Sequence, residues 1–253
     1  MKEIKITDQD TDQSFTFYDN SNGTILRSFD GFEYPEVLSS IEDVAGIGGA
    51  HYVNSKFGRR RMSFQGDLVG TDKFLQRRDL LSVLRQRGTM KLFEVTTYDD
   101  LLLRFEAEII RLTMPYTHQI HSFLFELQSP DWRLFSQTEE SEEVTVNDSD
   151  IITNNGTELT DVIFTITGPG TSIDIQNLET GESFSIDDLI ADDEVIVDTL
   201  NRTVTKNGDD SYSIFTGDFF GLQPGDNTIG FDVSGSTGAT SLTLTYRHAY
   251  NGI

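Results

Sequence analysis

The stretch "GDFFGLQPGDNTIGF", residues 217–231, decides how this chain of 253 residues is read. It is mostly aromatic residues, glycine and turn formers, and it carries no obvious reactive group. In "LQPGDNTI" the proline sets φ at the second turn position and Gly225 accepts positive φ at the third. Asp226 and Asn227 stand where a short polar side chain caps such a turn. Leu222 and Ile229, on either side, read as strand residues entering a core. The stretch therefore predicts a corner between two strands and not the rim of an active site.

The surroundings repeat the pattern. From Ile151 onward short extended runs follow one another: "DVIFTIT", "SIDIQNL", "ESFSI", "EVIVDTL", "RTVTKN", "SYSIFT", "NTIGFDV" and "TSLTLTYRH". Turn signals lie between them, at Gly168 ("GPG"), Glu179 ("ETGE"), Lys206 ("KNGDD"), Gln223 ("QPGDN") and Ser234 ("SGSTG"). A spacing of about 8–12 residues, with no long helical pattern, predicts a β-sandwich or jelly roll.

The first half reads differently. "SFTFYD" alternates, with Phe15 and Phe17 on one face; "NSNG" at Asn20 is a turn, and "TILRSF" resumes the strand. "AGIGGAHYV" reads as a glycine-rich loop and lacks the spacing of a phosphate cradle. "TDKFLQRRDLLSVLRQRG" predicts the one helix, with Thr71 or Asp72 at its N-cap and Gly88 just past its end. Phe74, Leu75, Leu81 and Leu84 form its expected apolar face, and Arg85 and Arg87 complement the dipole in its last turn. "TMKLFEVTTY", "LLLRFEAEIIRLTM" and "QIHSFLFELQSPDW" predict long strands. In the second, Leu101, Leu103, Phe105, Ala107 and Ile109 share a face. Long strands with one helix predict a β-sandwich or split barrel closed by that helix, so the chain is expected to be mainly β throughout.

Charge divides the molecule. The net charge is −23, but residues 1–135 hold 16 Lys and Arg against 20 Asp and Glu, whereas residues 136–253 hold 3 against 22. This shift predicts a domain boundary, with domains 1–137 and 138–253 and the acidic stretch "SQTEESEEVTVNDSD" as linker. So acidic a second half lacks the Lys and Arg that phosphate affinity needs. No apolar run is long enough to span a membrane, and the N-terminus lacks the apolar core of a secretory signal. Without cysteine there is no disulfide, thiolate ligand or thiol nucleophile, which fits folding in a reducing cytoplasm.

A search for chemistry finds little. His118 and His121 are three apart, which suits a helix, but their segment reads as a strand, where such positions face opposite ways. Asp187 with Asp188 and Asp192 with Asp193 are carboxylate pairs that suit calcium or glycoside hydrolysis by type alone. "NDSDIITNNGTEL" fits a calcium-binding loop poorly, because Ile152 takes a ligand position. Trp132, the single tryptophan, reads as packing at the end of the first domain. No G-x-S-x-G elbow or His-Glu-x-x-His is present. No residue is assigned a catalytic, cofactor-binding or metal-binding role, no cofactor is expected, and the chain is read as a non-enzyme.

The chain resembles the distal tail proteins of long, non-contractile-tailed bacteriophages over nearly its whole length. The resemblance is carried by "SFTFYD", "GRRRMSFQGDL" with the helix after it, "HSFLFELQSPDWRLFS", "LNRTVTKNGDD" and "FFGLQPGDNTIGF", in that order. It implies a tail-tube-like, ring-forming first domain and a galectin-like second one. It also implies a homohexameric ring, single or stacked, at the distal end of the tail tube in the virion, assembled in the host cytoplasm. Such a ring is a hub for the host-adsorption apparatus. Its implied partners are the tail tube protein and receptor-binding or tail-associated lysin proteins, with DNA only in transit through the lumen and no membrane contact. The family has no catalytic residues to carry over. A carbohydrate-binding or host-wall adhesin module is the alternative reading, motivated by the second half; a hydrolase using paired carboxylates is a third.

Overall fold

The computed structural model describes residues 1–18, 23–43, 50–84, 89–117, 120–235 and 239–253, with the side chains of 41–43 and 50–53 left aside. The chain folds into two compact units, Met1–Gln137 with Tyr250–Ile253, and Thr138–Ala249. The last four residues thus pack with the first unit and not with the second.

The first unit contains β1 (Glu3–Asp8), β2 (Gln13–Tyr18), β3 (Thr24–Asp30), β4 (Val37–Asp43), β5 (Ala50–Phe57) and β6 (Arg60–Leu68). After these come α1 (Lys73–Val83), β7 (Lys91–Thr96), β8 (Leu102–Thr113), β9 (His121–Ser129) and β10 (Leu134–Ser136). Its main sheet runs β2-β1-β7-β8-β9-β6-β3, all neighbours antiparallel. β8 bends it: residues 102–107 pair with β7, then the partner changes to β9, with a register shift between Ile109 and Arg111. The sheet curls until its first and last strands meet, where the Tyr18 N–H donates to Thr24 Oγ1 and Thr24 Oγ1 donates to the Tyr18 carbonyl, each at 2.7 Å. Inside lies an aromatic core, with Phe64 stacked on Phe125 at 4.7 Å and Phe93 on Phe105 at 5.2 Å. The α1 helix covers the gap, packing on β1, β2 and β6. This is the split barrel closed by a helix.

The helix corrects one expectation. Leu80 and Val83 are its buried residues, whereas Leu75 and Leu81 are exposed. Of the expected face, Phe74 is half-buried with its ring centre 4.8 Å from that of buried His121, and Leu84 packs partly buried against the core. Asp72 stands at the N-cap, yet its side chain makes no capping bond. Arg85, Arg87 and Gly88 lie outside the described residues, as do most of the "NSNG" turn and the start of the "AGIGGAHYV" segment. The latter's described part, Ala50 onward, is strand β5 rather than loop.

The second unit contains β11 (Glu140–Val144), β12 (Asp148–Asn154), β13 (Val162–Thr167), β14 (Gly170–Asn177), β15 (Ser183–Leu189) and β16 (Glu194–Asp198). It continues with β17 (Thr203–Lys206), β18 (Asp209–Asp210), β19 (Phe215–Gly217), β20 (Gly225–Ser234) and β21 (Ser241–Tyr246). One sheet runs β11-β21-β13-β16-β17-β18 and the other β12-β20-β14-β15-β19. The eight strands β11-β21-β13-β16 and β12-β20-β14-β15 have the order of a jelly roll. Period-two burial along β13, β14, β20 and β21 feeds one core, in which Phe164, Phe184 and Phe220 meet at 5.2–5.6 Å. The acidic stretch expected as a linker is mostly strand. β11 and β12 form inside it, because an edge strand with one solvated face tolerates carboxylates.

Candidate assembly surface

The quoted corner is built around one amide. Asn227 is fully buried. Its Oδ1 accepts from the Gln223 N–H at 2.9 Å and from Asn177 Nδ2 at 3.1 Å. Its Nδ2 donates to the carbonyls of Gln223 at 2.8 Å and Gly225 at 3.0 Å. Gly225 sits at φ +93°, as the turn chemistry requires, and Leu222 and Ile229 are both buried. Asn227 therefore does the capping, and the corner holds nothing that reacts.

A second buried polar group holds the first unit. Arg60 is 1% exposed and, among the described residues, forms no ion pair with a carboxylate. Its guanidinium donates to four backbone carbonyls: Trp132 at 2.6 Å, Gly31 at 3.0 Å, Glu33 at 2.9 Å and Asn251 at 2.7 Å. Burial pulls its pKa down to about 10, partly offset by the charges of Asp131 and Glu33. Three chain segments, including the last residues, are thereby tied to β6. Trp132 in turn packs against Phe57 at 4.2 Å, and Phe57 against Tyr34 at 5.4 Å. Two of the segments that carry the family resemblance, around Arg60 and around Trp132, meet here.

This anchored base supports a strand pair that stands apart. β4 and β5 form a two-stranded sheet and, among the described residues, pair with no other strand. Residues 37–40 and 54–56 are exposed on both faces. Val37 and Leu38 are each 43% exposed. An isolated two-stranded hairpin is marginal in water, so this one presents unpaired edges and apolar side chains in want of a partner. Three of the four sheet edges of the second unit carry carboxylates: β11 has Glu140, Glu142 and Glu143, β12 has Asp148 and Asp150, and β18 is Asp209 and Asp210, whereas the fourth, β19, is uncharged. Charged edges of that kind resist pairing with another chain.

The residues examined for chemistry are scattered or used structurally. His121 is buried on β9, its Nε2 2.7 Å from the Thr117 carbonyl; His118 lies outside the described residues. Asp187, Asp188 and Asp192 are exposed. Asp193 is buried and takes Lys206 Nζ at 2.8 Å, Asn207 Nδ2 at 2.8 Å and the Ile190 N–H at 3.0 Å. Those bonds, led by the one to Lys206, hold its carboxyl down to about 2. Of the tested calcium-loop residues, 148–154 are a β-strand paired with β20. Among the described residues no group of three or more His, Asp or Glu could hold a metal ion. The sequence marked Asn227 as a turn cap and gave Arg60 no role, although strand parity marks both as inward: Arg60 alternates with Met62 and Phe64, and Asn227 with Ile229 and Phe231.

Residues 155–250 match the family model of the siphovirus-type tail component, C-terminal domain. The whole fold is similar to the crystal structure of SPP1 Dit (gp 19.1), described as a paradigm of hub adsorption apparatus in phages infecting Gram-positive bacteria. The TM-score is 0.70 at 14% identity, covering 96% of this chain and 98% of that one. A chain of the phage P2 baseplate in its activated conformation with Ca is similar at TM-score 0.51 and 10% identity, covering 99% of each chain. The same baseplate with Sr gives 0.50 and 11% identity, again covering 99% of each. No curated protein sequence matches significantly. The resemblance to distal tail proteins and the mainly β fold read from the sequence are borne out by these findings.

Proposed function

We propose that this chain is a structural protein of the phage tail, forming a homohexameric ring at the distal end of the tail tube. The observation that carries this reading is the β4–β5 hairpin, which among the described residues pairs with no other strand and whose exposed stretch Val37–Ser40 is uncharged. A ring needs heterologous contacts that close after a fixed number of copies. Strand addition between copies, through β4 and β5, supplies such contacts. The near-neutral first unit forms the ring, and the second, galectin-like unit, with 22 acidic residues against 3 basic ones in 136–253, lies outward because its copies repel. In the virion the ring is the hub for host adsorption. It joins the tail tube protein to receptor-binding or lysin proteins, and DNA passes through its lumen. Its work is assembly and not turnover.

Sedimentation of the full chain tests this. The expected mass is near six chains. Proline at Leu38 or at Ser39 removes backbone donors on opposite sides of β4. The one that removes an outward N–H is expected to dissolve the ring while leaving the melting temperature unchanged. A wild-type chain that stays monomeric at all concentrations, or rings indifferent to both prolines, overturns the reading.

A further inference from the structure

We propose that copies of this chain also engage through a knob and socket: the turn bearing Ile190 of one copy seats in a cleft on α1 of another. The knob is an apolar side chain held out deliberately. Ile190 is 70% exposed. Its N–H donates to Asp193 Oδ2 at 3.0 Å, and its carbonyl accepts from the Asp193 N–H at 3.2 Å. Asp193 is itself fixed by Lys206 and Asn207. Gly168 lies so close behind that a Cβ there would sit 2.4 Å from the Ile190 carbonyl oxygen. Asp188 and Asp192, both in left-handed backbone at φ 55° and 68°, flank the knob with exposed carboxylates. The result is a rigid turn presenting one isoleucine between two negative charges.

The socket has the complementary chemistry. A cleft of about 340 Å³ is lined by Phe74, Arg77, Arg78 and Tyr116. Phe74 and Tyr116 pack together as its aromatic side, ring centres 5.7 Å apart, with the Arg77 guanidinium 5.5 Å from the Tyr116 ring centre. Arg77 Nε is buried and has no hydrogen-bond partner among the described residues. Arg78 is exposed and has no carboxylate partner among them. Leu75, 51% exposed, lies beside the cleft on the helix. An incoming isoleucine packs on the exposed side of the Tyr116–Phe74 pair, and its flanking carboxylates face the two arginines. The second copy is the occupant because both halves of the complementarity are present in this chain. Its acidic half repels its like and must find cations in the other half.

The contact shares with the proposed ring only the need for copies to meet. The chain has no cysteine, so two single substitutions report on it without background. Leu75→Cys and Ala191→Cys chains, mixed under mild oxidation, are expected to form disulfide-linked heterodimers in preference to either homodimer. Adding Arg78→Glu to the first chain is expected to slow the cross-link about tenfold, since it sets like charges face to face. Arg61→Glu, an exposed charge away from the cleft, is expected to leave it unchanged. Random pairing, or a rate indifferent to Arg78→Glu, overturns the knob and socket. Imaging the same samples separates the two readings. Rings without the cross-link remove the contact alone, the cross-link without rings removes the ring alone, and neither removes both.

Discussion

Replacing Asn227 by alanine removes the amide around which the corner at 223–227 is wound. Four bonds of 2.8–3.1 Å are lost. Three of them go to the Gln223 and Gly225 backbone, where residues 223–226 are exposed and water can replace the amide. Each such bond contributes about 1 kcal/mol net. The fourth joins Asn177, which is also fully buried. Its Nδ2 loses the Asn227 acceptor, and an unsatisfied buried donor costs about 1–3 kcal/mol. The expected loss is therefore about 4–6 kcal/mol from the second unit. For a domain of this size that lowers the melting temperature by roughly 15–25 °C. Scanning calorimetry of the full chain reads it as a shift of one transition. Asn227→Asp sharpens the test, because it keeps the accepting oxygen but sets a second carboxylate oxygen, also an acceptor, against the carbonyls of Gln223 and Gly225. It is expected to be at least as damaging at neutral pH and milder once the carboxyl protonates. A drop of less than about 2 °C for the alanine variant would mean that the corner is held by something else.

Other consequences are equally open to measurement. Arg60→Met leaves four carbonyls without their donor but also removes a buried charge; the net cost is expected to be about 3–5 kcal/mol, seen as an earlier first-unit transition. Lys91 Nζ lies 2.9 Å from Asp8 Oδ2 with both side chains 2% exposed, and this pair holds the Asp8 carboxyl below 3.8. A depressed carboxylate contributes stability above its unfolded pKa and loses that contribution as pH falls through the folded value. First-unit stability should therefore decline below about pH 4, and Lys91→Met should flatten that decline while lowering stability at neutral pH. Asp193 obeys the same sign, its contribution fading between 3.8 and about 2, and Lys206→Met should remove most of that acid dependence in the second unit.

Strand parity explains what the sequence made legible and what it did not. The alternation at Leu103, Phe105 and Ala107 set the face correctly because burial follows period two. The jelly-roll half was readable for the same reason. The helix face misled because Leu75 and Leu81 are apolar but exposed, and only the position of the barrel's split decides which stripe is covered. Arg60 was overlooked because arginine is read as a surface residue, whereas Asn227 was legible as a turn cap but not as a fully buried one. Yet Arg60, Asn227, His121, Lys91 and Asp8 all occupy inward positions of alternating strands, and all are buried. A polar residue in phase with a buried apolar run marks a built contact. The free hairpin could not be foreseen from its residues, since alternation says which face a strand buries and nothing about which strand remains without a neighbour.

The most direct test of the account is a negative-stain image of the purified full-length chain. The account predicts annuli with six-fold symmetry and a central hole, lost in the proline variant that blocks the outward edge of β4. Uniform single particles with no annular form, at concentrations where sedimentation shows only monomer, would contradict it.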